Sequence, residues 1–415
     1  MQNVDAAGLG IGDDFPPRIM GVLNVSEESP YDPSVFDDPG EAAAYVDDEL
    51  IAEGADIVDV GLESANKRFD VLSADQELDR LDTAIETLHS TSGEAVWSIE
   101  TRYAEVAEAA LDRGFDMVND IAGFADPEMP DVCREYDVAV AKMASPPDLT
   151  KPGDVRATPW AERRSREWAE RADYVDQVYE ALTQNGLTDK TIVDPAFGGW
   201  AENQTLEDDR ETFRRLREFR GLDRPMLVSI NRKNFLRSLA DRSTEGALPV
   251  SLAATSMAVE RGAHVVRTHD VAETRDAALV GDAFTRERAH DGGAASGPDG
   301  GVASGPTGSG SALAVEELDV TTPREAARHF ERVGVTDIDP AATVSRLYAV
   351  SGLDESAVET LRAAADAADC GFAVGAGGDR GFLWGPIDSL AALADRTDVP
   401  RPLAGTLATP GSGDR

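Results

Sequence analysis

Eight short apolar segments alternate with amphipathic segments between residues 17 and 288, and this alternation constrains the fold more than any other feature. We predict that the apolar segments are buried β-strands, at 19–24, 56–60, 95–99, 116–118, 138–142, 191–193, 226–230 and 264–267. Six of the segments between them are predicted helices, at 40–53, 73–90, 102–113, 161–185, 206–218 and 249–261. Regular alternation of this length predicts an α/β fold, a (β/α)8 TIM barrel. A doubly wound open sheet is the alternative, although no Gly-rich dinucleotide-binding turn follows the first strand.

A stretch rich in Gly, Ser and Pro separates this region from the rest of the chain. Residues 291–311 read DGGAASGPDGGVASGPTGSGS, a composition typical of a flexible linker. We therefore predict an N-terminal tail, a barrel, a linker and a small C-terminal α/β domain, at 1–16, 17–288, 289–312 and 313–415. In the last domain we predict a helix beginning near Thr322 and further helices at 340–349 and 355–368. Strands are predicted to follow at 372–375 and 382–385.

The chain is strongly acidic, with 78 Asp and Glu residues against 39 Lys and Arg residues and a net charge of −39. This charge argues against nucleic acid or an anionic membrane as a general partner. Only five lysines occur in 415 residues, so arginine supplies most of the positive charge. An acidic, lysine-poor chain suits molar salt, because screening there limits the range of the repulsion between its carboxylates to about 3 Å. We therefore predict a halophilic protein.

No apolar run is long enough to span a bilayer, and the acidic N-terminus lacks the pattern of a signal peptide. A cytoplasmic location is the resulting expectation. The two cysteines, Cys133 and Cys370, have neither zinc-site nor disulfide spacing, and we expect free thiols.

Polar side chains follow the predicted strands, at the ends that converge on one face of a parallel barrel. Asn24 ends the first strand and could ligate a hard cation or donate to a phosphate, or simply cap the strand. Ser64 follows the second strand. Lys233, Arg267 and His269 follow the last two strands and together suit an anionic, phosphate-bearing ligand.

Acids and an amide end three further strands, namely Glu100, Asn119 and Asp194. Carboxylates are costly to bury unless they are paired. A ligand with an amidine-like edge, such as a 2-aminopyrimidinone, would pair with them through two parallel hydrogen bonds. A surface cap remains the alternative for any single one of them. Asp59, within the second strand, is expected to be a structural hydrogen-bond acceptor.

Seven segments in order carry a resemblance to a known family: 20–25 (MGVLNV), 54–61 (GADIVDVG) with 63–64, 98–101 (SIET), 118–121 (VNDI), 193–195 (VDP), 232–233 (RK) and 267–271 (RTHDV). Over about 18–275 the chain resembles dihydropteroate synthases of the pterin-binding barrel superfamily. The resemblance implies a TIM barrel that dimerises through the barrel. It also implies condensation of 4-aminobenzoate with 6-hydroxymethyl-7,8-dihydropterin diphosphate in folate biosynthesis, with Mg²⁺ present.

The resemblance further implies roles for individual residues. Asn24 would contact Mg²⁺ and the diphosphate, and Arg267 and His269 would bind the departing diphosphate. The pterin would be held by Glu100, Asn119, Asp194 and Lys233, and Ser64 would contribute to substrate binding.

The sequence departs from the family pattern at several positions. Glu100 stands where the family has aspartate, and the loops at 26–33 and 65–68 lack the usual phenylalanine, threonine and arginine. The usual histidine is replaced near Lys142 and Met143, and the loop after Asp194 lacks its usual lysine. These changes leave two alternatives, a pterin-dependent methyltransferase or a non-catalytic pterin-binding paralogue. They also leave the second substrate, sulfonamide sensitivity and the role of the C-terminal domain open.

Overall fold

We describe the protein from a computed structural model. It covers residues 1–25, 34–63, 71–198, 203–286, 290–291, 315–396, 399 and 401–408. The chain forms two compact units, Met1–Glu316 and Glu317–Arg415. Most of the predicted linker at 289–312 lies outside the described residues, and its flexibility stays a prediction.

A short hairpin lies within the N-terminal segment predicted at 1–16. Strands β1 (Val4–Ala6) and β2 (Leu9–Ile11) pair antiparallel, and their apolar side chains pack under the barrel. Burial of each aliphatic side chain contributes about 1.5–3 kcal/mol. Beyond the hairpin, Asp13 accepts two hydrogen bonds from Arg220, at 3.1 and 2.8 Å. The hairpin therefore belongs to the barrel unit.

Eight parallel strands form the barrel, which confirms the predicted fold class. They are β3 (Arg18–Asn24), β4 (Ile57–Gly61), β5 (Val96–Thr101), β6 (Met117–Asp120), β7 (Ala139–Met143), β8 (Thr191–Asp194), β9 (Leu227–Val228) and β10 (Val265–Thr268). Hydrogen bonds link them in the order β8-β7-β6-β5-β4-β3-β10-β9. A parallel bridge between Val193 and Met226 joins β8 to β9 and closes the ring.

Helices follow the strands along the chain. They are α1 (Pro39–Tyr45), α2 (Ala74–Ser90), α3 (Ala104–Leu111), α4 (Met129–Glu135), α5 (Trp160–Arg163), α6 (Arg166–Arg171), α7 (Tyr174–Thr183), α8 (Leu206–Arg214), α9 (Asn234–Arg237), α10 (Leu248–Glu260) and α11 (Val271–Ala283). The single helix predicted at 161–185 is wrong, because the side chains of Ser165 and Asp173 cap two new helix starts within it. Helices α4, α9 and α11 are not among the predicted helices.

The barrel interior changes from apolar to polar along its axis. Residues two apart in a strand share a face. At the N-terminal end the inward residues are apolar: Met20, Ile57, Val96, Met117, Ala139, Ala141, Ile192, Leu227 and Val265. Two or four positions further along the same faces stand Asn24, Asp59, Glu100, Asn119, Asp194 and Arg267. The strand period thus brings the predicted site residues toward one end of the barrel.

The second unit has its own core and a three-stranded antiparallel sheet, in which β13 (Ser345–Ser351) and β14 (Gly371–Val374) both pair with β15 (Arg380–Pro386). A short two-stranded pairing of β11 (His290–Asp291) with β12 (Val315–Glu316) precedes it. The helices and strands of the second unit are α12 (Pro323–Val333), β13 (Ser345–Ser351), α13 (Glu355–Ala367), β14 (Gly371–Val374), β15 (Arg380–Pro386), α14 (Ile387–Ala394) and α15 (Arg401–Ala408). The helix predicted at 340–349 is wrong. Only a short 3₁₀ turn precedes β13, which pairs with β15 over all seven of its residues.

Within the described residues, no helix is both long and apolar enough to cross a membrane. Both cysteines are buried free thiols, as expected.

Candidate active site

A buried carboxylate, Asp59, links its own strand, β4, to three other barrel strands at the level of the predicted site. It accepts hydrogen bonds from Ser98 Oγ at 2.7 Å, Asn119 Nδ2 at 2.9 Å and Arg267 Nε at 2.7 Å. Its side chain is fully buried, so these donors replace the water that it would otherwise bind. Asp59 is the structural acceptor that the sequence predicts, and it fixes the orientation of Asn119 and Arg267.

Arg267 also binds the acid at the end of β5. Its Nη2 lies 2.6 Å from Glu100 Oε2, so one guanidinium bridges two carboxylates. Burial disfavours the charged guanidinium, but Glu100 and Asp59 hold the pKa of Arg267 above its usual value. Burial raises the pKa of Glu100, while Arg267 acts in the opposite direction. The structure therefore brings together two residues that the sequence placed in separate subsites.

Lys233 and Asp194 form the neighbouring part of the site. Burial raises the pKa of Asp194 to about 6, although the Ala196 N–H and Lys233 oppose the rise. Burial, together with Arg267, lowers the pKa of Lys233. Gly198 makes room for this lysine, since a Cβ there would lie 2.7 Å from Lys233 Nζ. A buried acid beside a partly buried lysine suits a polar ligand that bonds to both.

A second chain of hydrogen bonds runs from β3 to the residue that follows β10. Asn24 Nδ2 donates to Ser34 Oγ at 2.9 Å, and Ser34 Oγ lies 3.2 Å from His269 Nδ1. Burial and the charge of Arg267 lower the pKa of His269 to about 3, so this imidazole is neutral at neutral pH. The predicted pair Asn24 and His269 is thus brought together, through a serine that the sequence analysis did not single out.

Among the described residues, no group of three or more His, Cys, Asp or Glu side chains could hold a metal ion. Mg²⁺ usually keeps several waters and is bound by one or two protein oxygens together with substrate phosphates. The single amide of Asn24 fits an ion that arrives with a diphosphate. It does not fit an ion held by the protein alone.

A buried ionic cluster next to the site was not predicted from the sequence. Arg102, which is 1% exposed, donates to Glu63 Oε2 at 2.9 Å and to the Leu149 carbonyl at 2.8 Å. Thr101 Oγ1 donates to Glu77 Oε2 at 2.5 Å. Burial raises the pKa of Glu77 to about 8, the Thr101 hydroxyl opposes the rise, and Glu63 adds to it. Glu63 directly precedes the second altered loop, so the cluster fixes the point from which that loop departs.

Two further basic side chains, Lys142 and Arg232, form hydrogen bonds that stabilise the fold. Lys142 Nζ donates to the carbonyls of Leu182, Gln184 and Gly186, at 3.0, 2.5 and 2.7 Å. It therefore caps the C-terminal end of α7, where a cation is favourable, and does not face the site. Arg232 pairs with Asp270 through two hydrogen bonds of 2.8 Å.

Ser64 lies outside the described residues, and so do most of the altered loop positions. The segments concerned are 26–33, 64–70 and 199–202. The predictions for Ser64 and for these loops therefore stay predictions.

Comparison with known proteins gives one family. The model of the pterin-binding enzyme family matches residues 20–269. The probable bifunctional folylpolyglutamate synthase/dihydropteroate synthase of Halobacterium salinarum is 33% identical over 64% of this chain and 31% of its own length. This chain thus spans about a third of that relative. The dihydropteroate synthase of Bacillus subtilis is 29% identical over 64% of this chain and 88% of its own length.

Two solved structures resemble the barrel unit. Dihydropteroate synthase from Thermus thermophilus in complex with 4-aminobenzoate is 29% identical, with a TM-score of 0.53 over 68% of this chain and 99% of that one. A dihydropteroate synthase from Coxiella burnetii in complex with pteroic acid is 26% identical, with a TM-score of 0.54 over 68% and 98%.

Proposed function

Because this chain belongs to the pterin-binding enzyme family, we propose that it is a dihydropteroate synthase. It would condense 4-aminobenzoate with 6-hydroxymethyl-7,8-dihydropterin diphosphate and release 7,8-dihydropteroate and pyrophosphate. The observation that carries the proposal is the linked set of Asp59, Asn119, Arg267 and Glu100 beside Asp194 and Lys233. Relatives that bind 4-aminobenzoate or pteroic acid support the choice of substrates.

The acids and the amide account for recognition of a pterin. Its 2-amino-4-oxo edge presents adjacent N–H donors, which suit the buried carboxylates of Asp194 and Glu100. Asn119 donates through Nδ2 to Asp59, which directs its amide. Lys233 supplies a donor for a ring oxygen or nitrogen, and its stem covers the flat ring.

The cations account for the chemical step. The bond between the pterin methylene carbon and the diphosphate oxygen breaks, and the aromatic amine forms the new C–N bond and loses one proton. Arg267 and His269 stabilise the charge that grows on the leaving diphosphate. A neutral His269 can take up a proton as the anionic group approaches. Mg²⁺, when bound through Asn24 and the diphosphate, adds positive charge at the leaving group.

We also propose a homodimer formed through the barrel. The outer helices α10 and α11 and the residue after α11 expose apolar side chains, namely Met257, Leu279, Val280 and Phe284, which are 45, 44, 52 and 81% exposed. Exposed apolar patches of this kind typically mark association surfaces. Adaptation to molar salt and a cytoplasmic location complete the proposal. The net charge of −39 supports the first, and the free thiols suit a reducing compartment.

The test is pyrophosphate release from the pterin diphosphate in high salt with Mg²⁺, with and without 4-aminobenzoate. We expect release that depends on the amine, and strong loss of pterin binding in Lys233→Ala without unfolding of the barrel. Lys190→Ala is the matched control, because Lys190 pairs with Asp137 at the surface. Absence of release while calorimetry still detects pterin binding would overturn the synthase assignment, and would favour the methyltransferase or binding-only alternatives.

A further inference from the structure

The turn that follows β8, residues 194–198, contains two residues with a positive φ. They are Ala196, with φ 64°, and Gly198, with φ 121°. Residues other than glycine rarely adopt such a φ, and they keep it only where the surrounding structure holds them in place. Gly198 also lies against Lys233, since an added Cβ would be 2.7 Å from Lys233 Nζ. The contacts that hold this turn therefore also decide where the ammonium group lies.

An aromatic pair joins the turn to the segment that carries Lys233. The ring of Phe197 stacks on the ring of Phe235, with ring centroids 5.5 Å apart and an angle of 22° between the planes. Both side chains are buried. This contact fixes the middle of the turn, but an apolar contact does not decide where the charged end of Lys233 lies.

A buried carboxylate, Asp209, holds the other end of the turn. It lies on α8 and is 3% exposed. Its Oδ1 accepts hydrogen bonds from the Gly198 N–H at 3.4 Å and from Gln204 Nε2 at 2.7 Å, while its Oδ2 accepts none among the described residues. Burial raises the pKa of Asp209 to about 6, although these two donors and Lys233 oppose the rise. Asp209 is therefore ionised at neutral pH, and its charge acts on Lys233.

The ionisable groups that act on the ammonium of Lys233 come from several elements of the barrel. They are Arg267, Asp194, Asp209, Glu100 and His269. Burial and Arg267 lower the pKa of Lys233, whereas the three acids raise it. Glu100 already pairs with Arg267, and Asp194 is directed, in the proposed function, to the edge of the pterin. Asp209 is thus the acid of this set whose charge remains for Lys233.

We propose that Asp209 is a positioning residue, which holds the ammonium of Lys233 against the turn after β8 by its charge and through the N–H of Gly198. The role rests on the proposed function, because Lys233 is the side chain that would hold the pterin. Asp209 acts through Lys233 and does not touch the substrate. The pterin would then meet an ammonium group that is already in place, as precise sites require of the residues that support them.

Asp209→Asn tests the charge, because the amide keeps the shape and an acceptor for the Gly198 N–H. The chain has only five lysines, so NMR of protein labelled at lysine Cε gives few signals, and Lys233→Ala assigns the one that matters. We expect a lower pKa of Lys233 in Asp209→Asn than in the unaltered protein, because a facing carboxylate has been removed. Glu207→Gln is the matched control, since Glu207 also lies on α8 but is 60% exposed.

Calorimetry with the pterin diphosphate in high salt measures the consequence for binding. We expect binding about tenfold weaker in Asp209→Asn, and weaker still in Asp209→Ala, which also loses the acceptor for the Gly198 N–H. Glu207→Gln should bind as the unaltered protein does. Asp209→Ser replaces Asp209→Ala if circular dichroism shows that the alanine variant is unfolded.

Pyrophosphate release is measured on the same samples. An equal pKa of Lys233 in the unaltered protein and in Asp209→Asn overturns the proposal even if binding is weaker, because the role of Asp209 would then be structural only. Equal pterin affinity in the unaltered protein and in both Asp209 variants overturns it as well. In either case amine-dependent release from the unaltered protein leaves the synthase activity standing. A lower pKa of Lys233 in Asp209→Asn, with neither pterin binding nor release in the unaltered protein, would support the placement of Lys233 and overturn the proposed activity.

Discussion

Arg267 Nη2 lies 2.6 Å from Glu100 Oε2, so a cation from the last barrel strand is already held by an acid from the third. Nε of the same arginine remains bonded to Asp59 at 2.7 Å. The proposed substrate would therefore meet a guanidinium that is fixed in place before binding. Such fixed charge costs no rearrangement at the moment of reaction.

Glu100→Gln tests this arrangement. The amide loses the charge that pairs with Arg267 and that, in the proposed function, pairs with the pterin edge. Hydrogen bonds to charged groups contribute about 1.5–3 kcal/mol, so we expect pterin diphosphate to bind about 10–100-fold more weakly. Isothermal calorimetry in high salt measures the affinity. Glu94→Gln, an exposed acid near the other end of the same strand, should leave it unchanged. Equal effects of the two variants would remove Glu100 from the pocket.

Gly198→Ala should disturb the site through a single methyl group. Gly198 has φ +121°, and its Cβ would lie 2.7 Å from Lys233 Nζ and 2.9 Å from Lys233 Cδ. We expect loss of pterin binding as well as backbone strain of about 1–3 kcal/mol. Gly186→Ala separates the two effects, because Gly186 has φ +79° and open space around it. Calorimetry and denaturant unfolding should show strain in both variants and loss of binding only in Gly198→Ala.

The protonation of His269 should depend on the anion. Burial and Arg267 lower its pKa to about 3, against about 6.5 in an unfolded chain. Its contribution to stability is therefore complete above pH of about 6.5 and decreases as the pH falls toward about 3, because the unfolded state binds the proton first. In NMR of labelled histidine, assigned with His269→Gln, we expect no titration of this ring in the free protein between about pH 5 and 8. Pyrophosphate with Mg²⁺ should move its pKa upward. A midpoint near 6.5 without the anion would contradict the burial of this ring.

Arg102→Met should destabilise the barrel unit strongly. It removes the cation that pairs with Glu63 and leaves that acid buried beside Glu77. Breaking a buried ion pair on one side costs about 3–5 kcal/mol. Arg113→Met is the control, since Arg113 and Asp82 are 46 and 78% exposed, and such pairs contribute about 0–1 kcal/mol. Urea unfolding in high salt compares them. A difference below about 1 kcal/mol between the variants would show that the cluster tolerates the loss.

Those parts of the fold that depend on local patterns are predictable from the sequence. Each barrel strand is an apolar run, and its inward face follows from a period of two residues. The break in the helix at 161–185 is harder to predict because Ser165 and Asp173 act through hydrogen bonds to nearby backbone, which compete with helix continuation. The segment of β13 resembles a helix because its alternation is weak, and pairing with β15 decides its structure.

The candidate site is predictable to the same degree. Strand-end positions identify Asn24, Glu100 and Arg267 without knowledge of any contact. The ion pair of Glu63 with Arg102 joins residues 39 positions apart, and nothing in either local sequence indicates the other. The bridging role of Ser34 depends on the path of the chain between β3 and α1, which composition does not specify.

The N-terminal hairpin has a consequence for the order of folding. Asp13 bonds to Arg220 and His264, which are 207 and 251 positions later in the chain. Asp13 is synthesised long before both of these partners, so these bonds cannot form until the residues directly before the last barrel strand have been made. Contacts of such long range form slowly. The end of the barrel that packs against the hairpin can therefore complete its contacts only after β10 has been synthesised.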